Sequence, residues 1–184
     1  MDLRSAGMDD LPQIKAVYEK IIAAMDDAGI HIWDEIYPCE FFRDDIKNDH
    51  LFILTEGKEI VAAFALCDTT PGADHAKWED EQAEALYIDR FGVNADYSRQ
   101  GIGSLALAGA IALAREKGAT YLRLFVVDVN EPAINFYLKN GFTQIDGIYD
   151  ERIDDDLVLH KFGFEMRMSR RDGHSLSENN KHLI

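Results

Sequence analysis

The sequence predicts a single mixed α/β domain of the α+β kind, in which an early β-hairpin is followed by a strand–helix–strand unit. The hairpin is read from residues 51–55 and Glu59–Cys67, two runs rich in Leu, Ile, Val and Phe on either side of the turn Glu56-Gly57-Lys58. The second unit is read from Ala85–Val93 and Tyr121–Val127, which enclose an Ala- and Leu-rich segment. Two strands joined by a crossover helix must run parallel, so the sheet is expected to be mixed. A length of 184 residues with 47% hydrophobic content suits one core.

Taken in order, residues 1–5 form a short strand. Leu11, Ile14, Val17, Tyr18, Ile21, Ile22 and Met25 then recur at three- and four-residue intervals, after Asp9-Asp10 and before Gly29, as in an amphipathic helix with an acidic start and a glycine stop. Trp33 and Tyr37-Pro38 lie in a linker, and residues 40–48 have short helical character. Trp33, Tyr37, Phe41 and Phe42 are readable either as core or as the cover of a pocket. Residues 68–83 carry Pro71, Gly72 and several acids without apolar periodicity, which describes a surface loop. Residues 105–117 form a helix closed by Gly118, and residues 132–140 form another with Pro132 in its first turn and Gly141 past its end. Residues 143–148 and 161–168 complete the strands. The domain is drawn as 1–168, and the polar tail 169–184 is aperiodic and reads as disordered. A partner chain is a candidate to hold it, and a homodimer is a candidate assembly.

Charge and composition narrow the partners. Nineteen basic residues against 34 acidic ones give a formal charge of −15, which repels a nucleic-acid backbone and attracts cationic amines. No membrane segment is expected, because the apolar run 105–114 is half of what a bilayer requires, and the N-terminus lacks the apolar core of a secretory signal. A cytoplasmic protein is the reading. Cys39 and Cys67 are taken as ordinary buried thiols, the six histidines show no ligand spacing, and no metal site is expected. The acidic runs Asp9-Asp10, Asp26-Asp27, Asp44-Asp45 and 154–156 read mostly as solvated helix starts and loops.

The chemistry-bearing motif is the turn Gln100-Gly101-Ile102-Gly103-Ser104. Glycines at 101 and 103 admit close approach of a ligand to the backbone, and a helix starting near Ser104 points its unpaired amides at the same place, an arrangement that binds phosphate. With Ala106 the turn also matches the dinucleotide fingerprint, but residues 94–100 separate Val93 from Gly101 and a hairpin lies upstream, which argues against a Rossmann unit. No Lys-Ser or Lys-Thr follows the glycines, so it is not a P-loop either.

Together with Asn130-Glu131-Pro132-Ala133 and Tyr137-Leu138-Lys139-Asn140-Gly141-Phe142, the segment Ser98-Arg99-Gln100-Gly101-Ile102-Gly103 resembles the GNAT superfamily of N-acetyltransferases across residues 85–142, within a pattern covering about 1–168. The resemblance implies a three-layer fold whose parallel strands splay apart, with acetyl-CoA as donor and its pantetheine arm against Phe91, Gly92 and Val93. It assigns the pyrophosphate to the loop from Ser98 to Ser104, places Asn130 and Ala133 beside the donor, and makes Tyr137 the acid that protonates the departing thiolate. Ser98 departs from the family pattern, which favours Arg or Gln there, and a basic residue follows at Arg99. The acceptor implied is a primary amine of a small molecule or peptide. A non-catalytic acyl-CoA-binding module on the same scaffold is the alternative.

A general base is harder to read. Tyr87 falls where some members of the family carry a catalytic glutamate. Strand alternation sets Tyr87, Asp89, Phe91 and Val93 on one face and Glu84, Leu86, Ile88 and Arg90 on the other, unless a bulge intervenes. Asp89, directly or through water, is the candidate base, and a structural ion pair is its competing role.

Overall fold

Residues 1–153 and 157–168 are described by the computed structural model; the acidic run 154–156 and the tail 169–184 lie outside the described residues. Among the described residues, seven strands form one sheet: β1 (Asp2–Ser5), β2 (Leu51–Glu56), β3 (Glu59–Cys67), β4 (Ala85–Val93), β5 (Tyr121–Val127), β6 (Thr143–Arg152) and β7 (Val158–Arg167), in the order β1-β2-β3-β4-β5-β7-β6. Every neighbouring pair is antiparallel except β4 and β5. The expected mixed sheet with one parallel pair is therefore present. The last two strands are longer than the sequence suggested, because alternation on β6 is between half-buried and exposed positions and gives little apolar signal.

One face of the sheet is covered by α3 (Ile102–Glu116) and α4 (Glu131–Lys139). Leu107, Ala110 and Ala114 of α3 and Tyr137 of α4 close on Phe64, Leu66, Leu122 and Phe164. The small residues of α3 let it lie close to the strands. On the other face, α1 (Leu11–Asp27) and α2 (Phe42–Lys47) cover β2 and β3, with Ile14, Tyr18 and Phe42 fully buried. Each such aliphatic or aromatic side chain contributes about 1.5–3 kcal/mol by leaving water. The acidic start of α1 works differently from the expectation: Asp10 accepts the Gly7 amide at 2.7 Å and pairs with both Arg4 guanidinium nitrogens at 2.7 Å, fastening β1 to the turn before the helix.

Among the described residues, no helix covers β5 and β7 on this second face; residues 68–84 do. The segment is a loop as expected, but one end of it is core. Trp78 and Ala76 are buried against Tyr87, and Trp78 donates from its ring nitrogen to the Ala73 carbonyl at 2.6 Å. Arg123 of β5, only 2% exposed, stacks on Trp78 at 4.6 Å and pairs with Glu165 of β7 at 3.3 Å, while Glu165 also accepts the Glu79 amide at 2.8 Å. The outer part of the loop is latched to β6. Lys77 donates its amide to Asp146 at 2.9 Å, and Gly72, at φ +83°, passes so close over Tyr149 that a β-carbon would lie 2.2 Å from the ring. A buried cation on β5 thus organises a loop that carries no apolar period. Among the described residues, no helix is long and apolar enough to cross a membrane.

Candidate active site

Pairing between β4 and β5 begins at Ala85–Tyr121 and ends at Tyr87–Arg123. From Ile88 onward the two strands diverge, and a cavity of about 310 Å³ occupies the slot between them. Phe91, Asn130, Ala133 and Tyr137 line it from the α4 side; Asp89, Arg90, Thr70 and Tyr37 line it from the other. It therefore passes through the plane of the sheet. The divergence of the parallel pair makes this possible, because β4 beyond Tyr87 is paired on the β3 side alone.

Which residues face which side is set by a β-bulge. Ala65 opposes Asp89 and Ala63 opposes Gly92, so Phe64 faces two residues of β4, Arg90 and Phe91. Arg90 takes the extra position with φ +51°, a left-handed conformation in which glycine is usual. Unbroken alternation, which grouped Asp89 with Phe91 and Val93, is corrected here. Phe91 stacks on Phe64 and approaches Phe136 and Tyr137 on the α4 side, whereas Gly92 faces α1, where a β-carbon would meet Ile21 at 2.8 Å and Tyr18 at 3.0 Å. Asp89 and Arg90 consequently share the α1 side of the sheet. The Tyr18 hydroxyl holds the bulge by donating to the Arg90 carbonyl, and it also lies 3.2 Å from the Ala63 carbonyl.

The Asp89 carboxylate accepts from the Thr70 hydroxyl at 2.9 Å and lies 3.9 Å from the nearest Arg90 nitrogen. Burial pushes it above the usual carboxylate range, and Arg90 and Thr70 only partly offset that. The Arg90 guanidinium is committed elsewhere. Its Nε and one Nη each donate to an oxygen of Asp45 at 2.9 Å, with both side chains about 10% exposed. Asp45, read from sequence as one of a solvated pair, is thus a buried partner, because the first turn of α2 carries it against the bulge. Across the cavity, Lys161 pairs with Glu151 at 2.5 Å.

Tyr137 is 6% exposed, and its ring packs against Phe91, Phe136 and Phe142. Its hydroxyl makes no hydrogen bond to another described residue. Burial, reinforced by the Asp89 charge, raises the phenol above its ordinary value, so it holds its proton throughout the neutral range. Asn130 caps α4 by accepting the Ala133 amide at 3.2 Å and also lines the cavity. The linker aromatics divide between the two roles considered: Phe42 is core, while Trp33, Tyr37 and Phe41 line the cavity, Phe41 beneath the Arg90 guanidinium at 5.3 Å.

Ser98, Arg99 and Gln100 are exposed and lie outside the lining of that cavity, as do Gly101 to Ser104. Helix α3 starts at Ile102, earlier than expected, with Gly101 as its cap at φ +78° and Arg99 also left-handed at φ +60°. The Leu105 amide closes the first turn by donating to the Gly101 carbonyl at 3.1 Å. The amides before it point out of the helix end, where its dipole is positive. A β-carbon on Gly101 would enter open space, so this glycine leaves the end of the helix uncovered. Gly103 has a packing role besides the one expected of it: a β-carbon there would lie 3.4 Å from Phe136 and 3.5 Å from Val93, so it sets the spacing of α3 against α4 and β4. These amides and the slot fit a thioester donor with a phosphate-bearing tail.

Arg90, Asp45, Thr70 and Lys161 had no sequence motif to reveal them. The one available hint was the bulge condition on β4. Both cysteines are buried and unpaired by disulfide, as expected. The fold does bring Asp45, His50 and Cys67 within 4.8 Å of one another, a clustering invisible in their spacing. There, however, Asp45 has both oxygens on Arg90, and Cys67 lies 3.6 Å from the same guanidinium.

Residues 15–142 match the model of the acetyltransferase (GNAT) family. Among solved structures, an acetyltransferase of the GNAT family from Streptococcus agalactiae is similar with a TM-score of 0.77 at 18% identity, over 91% of this chain and 95% of that one. The ribosomal-protein-S18-alanine N-acetyltransferase of Escherichia coli gives 0.65 at 18% identity, over 93% and 97%. The PaiA N-acetyltransferase of Thermoplasma acidophilum, solved with coenzyme A, gives 0.65 at 18% identity, over 91% and 98%. At such identities the structures speak for the fold, and the match over residues 15–142 speaks for the family. The slot between β4 and β5, the bared end of α3 and this match lead to one assignment, and the chain belongs to the GNAT family of acetyltransferases.

Proposed function

We propose that the protein transfers an acetyl group from acetyl-CoA to a primary amine of a small molecule or peptide by direct attack. The observation that carries this reading is the cavity that brings Tyr137 and Asp89 to opposite sides of one slot. Asp89 accepts a proton from the acceptor ammonium and the resulting amine attacks the thioester carbonyl; as the tetrahedral adduct collapses the carbon–sulfur bond breaks, the Tyr137 hydroxyl gives its proton to the thiolate, the nitrogen sheds its remaining extra proton to the Tyr137 oxygen, and Asp89 releases its proton to solvent. Phe91, Gly92 and Val93 offer the pantetheine arm a strand edge with no β5 partner. Arg99 and the amides from residue 99 to Ser104 hold the phosphates, with Ser98 and Gln100 on the rim and Asn130 and Ala133 beside the arm.

The direct test is coenzyme A release over a panel of polyamines, amino acids, aminoglycosides and peptide N-termini. Acetyl-CoA binding without thiol release on any amine would instead support a binding module. The pH dependence follows from the two sites. Asp89 must be ionised, so kcat/KM falls as pH drops through a value above the ordinary aspartate range; Tyr137 must be protonated, so it imposes no loss on the basic side below about pH 10. Asp89→Asn is expected to lower kcat/KM by about 10²-fold and to abolish that acid limb. A limb that survives in the variant belongs to another group.

Gly101→Val tests the donor cradle. The variant adds a left-handed strain of about 1–2 kcal/mol, and its β-carbon meets no atom within 4 Å. Titration calorimetry should show acetyl-CoA affinity weakened tenfold or more, and unchanged affinity would contradict the cradle.

A further inference from the structure

Asp89 and Arg90 are consecutive residues on one face, yet they form only a loose pair. A base flanked by an uncommitted guanidinium would be held ionised at low pH and would be a poor proton acceptor at neutral pH. The geometry prevents this. Arg90 directs its Nε and one Nη to the two oxygens of Asp45 at 2.9 Å each, leaving its other Nη 3.9 Å from Asp89. Its backbone is fixed independently, by the Tyr18 hydroxyl on its carbonyl, so the guanidinium cannot follow Asp89 without breaking the fork to Asp45. We infer that Asp45 and Arg90 are positioning residues for acetyl transfer: Asp45 holds the guanidinium away from Asp89, so that the Asp89 carboxylate is left under-neutralised and able to take the acceptor's proton. This rests on the reading of Asp89 as the base.

The groups around Asp89 permit the arrangement. Thr70 from the loop after β3 donates one neutral hydrogen bond, and Lys161 of β7 bears on Asp89 but is engaged by Glu151. Tyr37 from the linker before α2, Cys67 of β3 and Tyr137 of α4 face it as neutral groups, each pushed upward by burial. The cations near Asp89 are therefore each matched by a carboxylate of their own, Arg90 by Asp45 and Lys161 by Glu151. Asp89 is the carboxylate left over.

The test is the pH profile of kcat/KM in two variants, with the best amine from the release panel. In Asp45→Asn the guanidinium turns to Asp89, and the acid limb should move down by about one pH unit while the plateau falls roughly tenfold. Asp45→Glu should restore both in part. In Asp45→Asn with Arg90→Gln, which removes both members of the ion pair together, the limb should move above that of the wild type, because the nearer cation is gone. This double variant decides the matter if the single one does not fold. A role of the pair in folding alone would lower activity at every pH and leave the limb in place, and that result would overturn the inference. If Asp89→Asn keeps full activity and the wild-type limb, the assignment of the base fails instead.

Discussion

Tyr137→Phe is expected to reduce kcat for coenzyme A release by about 10²–10⁴-fold, the usual share of a general acid. Acetyl-CoA affinity and thermal stability should stay close to wild type. The ring fills the space between Phe91, Phe136 and Phe142, and phenylalanine keeps that packing; the hydroxyl has no bond to a described residue whose loss would weaken the fold. The variant thus separates chemistry from structure. Steady-state rates equal to wild type on the same amine would remove Tyr137 from the mechanism, whereas a fall in affinity of the same size as the fall in kcat would make it a binding residue.

The largest effect on stability is expected on the opposite side of the sheet. Glu165→Met removes the carboxylate that pairs with Arg123 and accepts the Glu79 amide, leaving a guanidinium that is 2% exposed without its counter-charge. Such a loss costs about 3–5 kcal/mol, which for a domain of this size lowers the melting temperature by roughly 10 °C or more. Arg123→Met together with Glu165→Met should recover much of it, since no charge is then stranded. Calorimetry on both variants checks this. Equal destabilisation in the single and double variants would mean that the pair holds the loop through shape rather than charge.

Most of the architecture was legible in the residues. The periodicity from Leu11 to Met25, the turn at Gly57 and the apolar strands Glu59–Cys67, Ala85–Val93 and Tyr121–Val127 each report a local preference that the tertiary structure leaves intact. The glycine turn and the start of α4 at Asn130 were legible for the same reason, being local devices. The residues on the α1 side of the slot were not. Asp45 looks like surface until α2 is laid against β4, and Arg90 looks like the wrong face until one residue is added to the strand count. The covering of β5 by Trp78 depends on a cation buried 45 residues away in sequence, and no window of the chain contains both.

The extra residue in β4 sets durability against turnover at one position. Without Arg90 the strand would pair continuously with β3, and both its faces would keep their present assignments, since Ile88 and Phe91 already lie on the α4 side. With a neutral residue at 45, such a shortened strand would shed a left-handed arginine and a buried ion pair. A selection for heat resistance alone would therefore favour the shorter strand, and the sturdier protein would have lost the guanidinium that lines the slot beside Asp89.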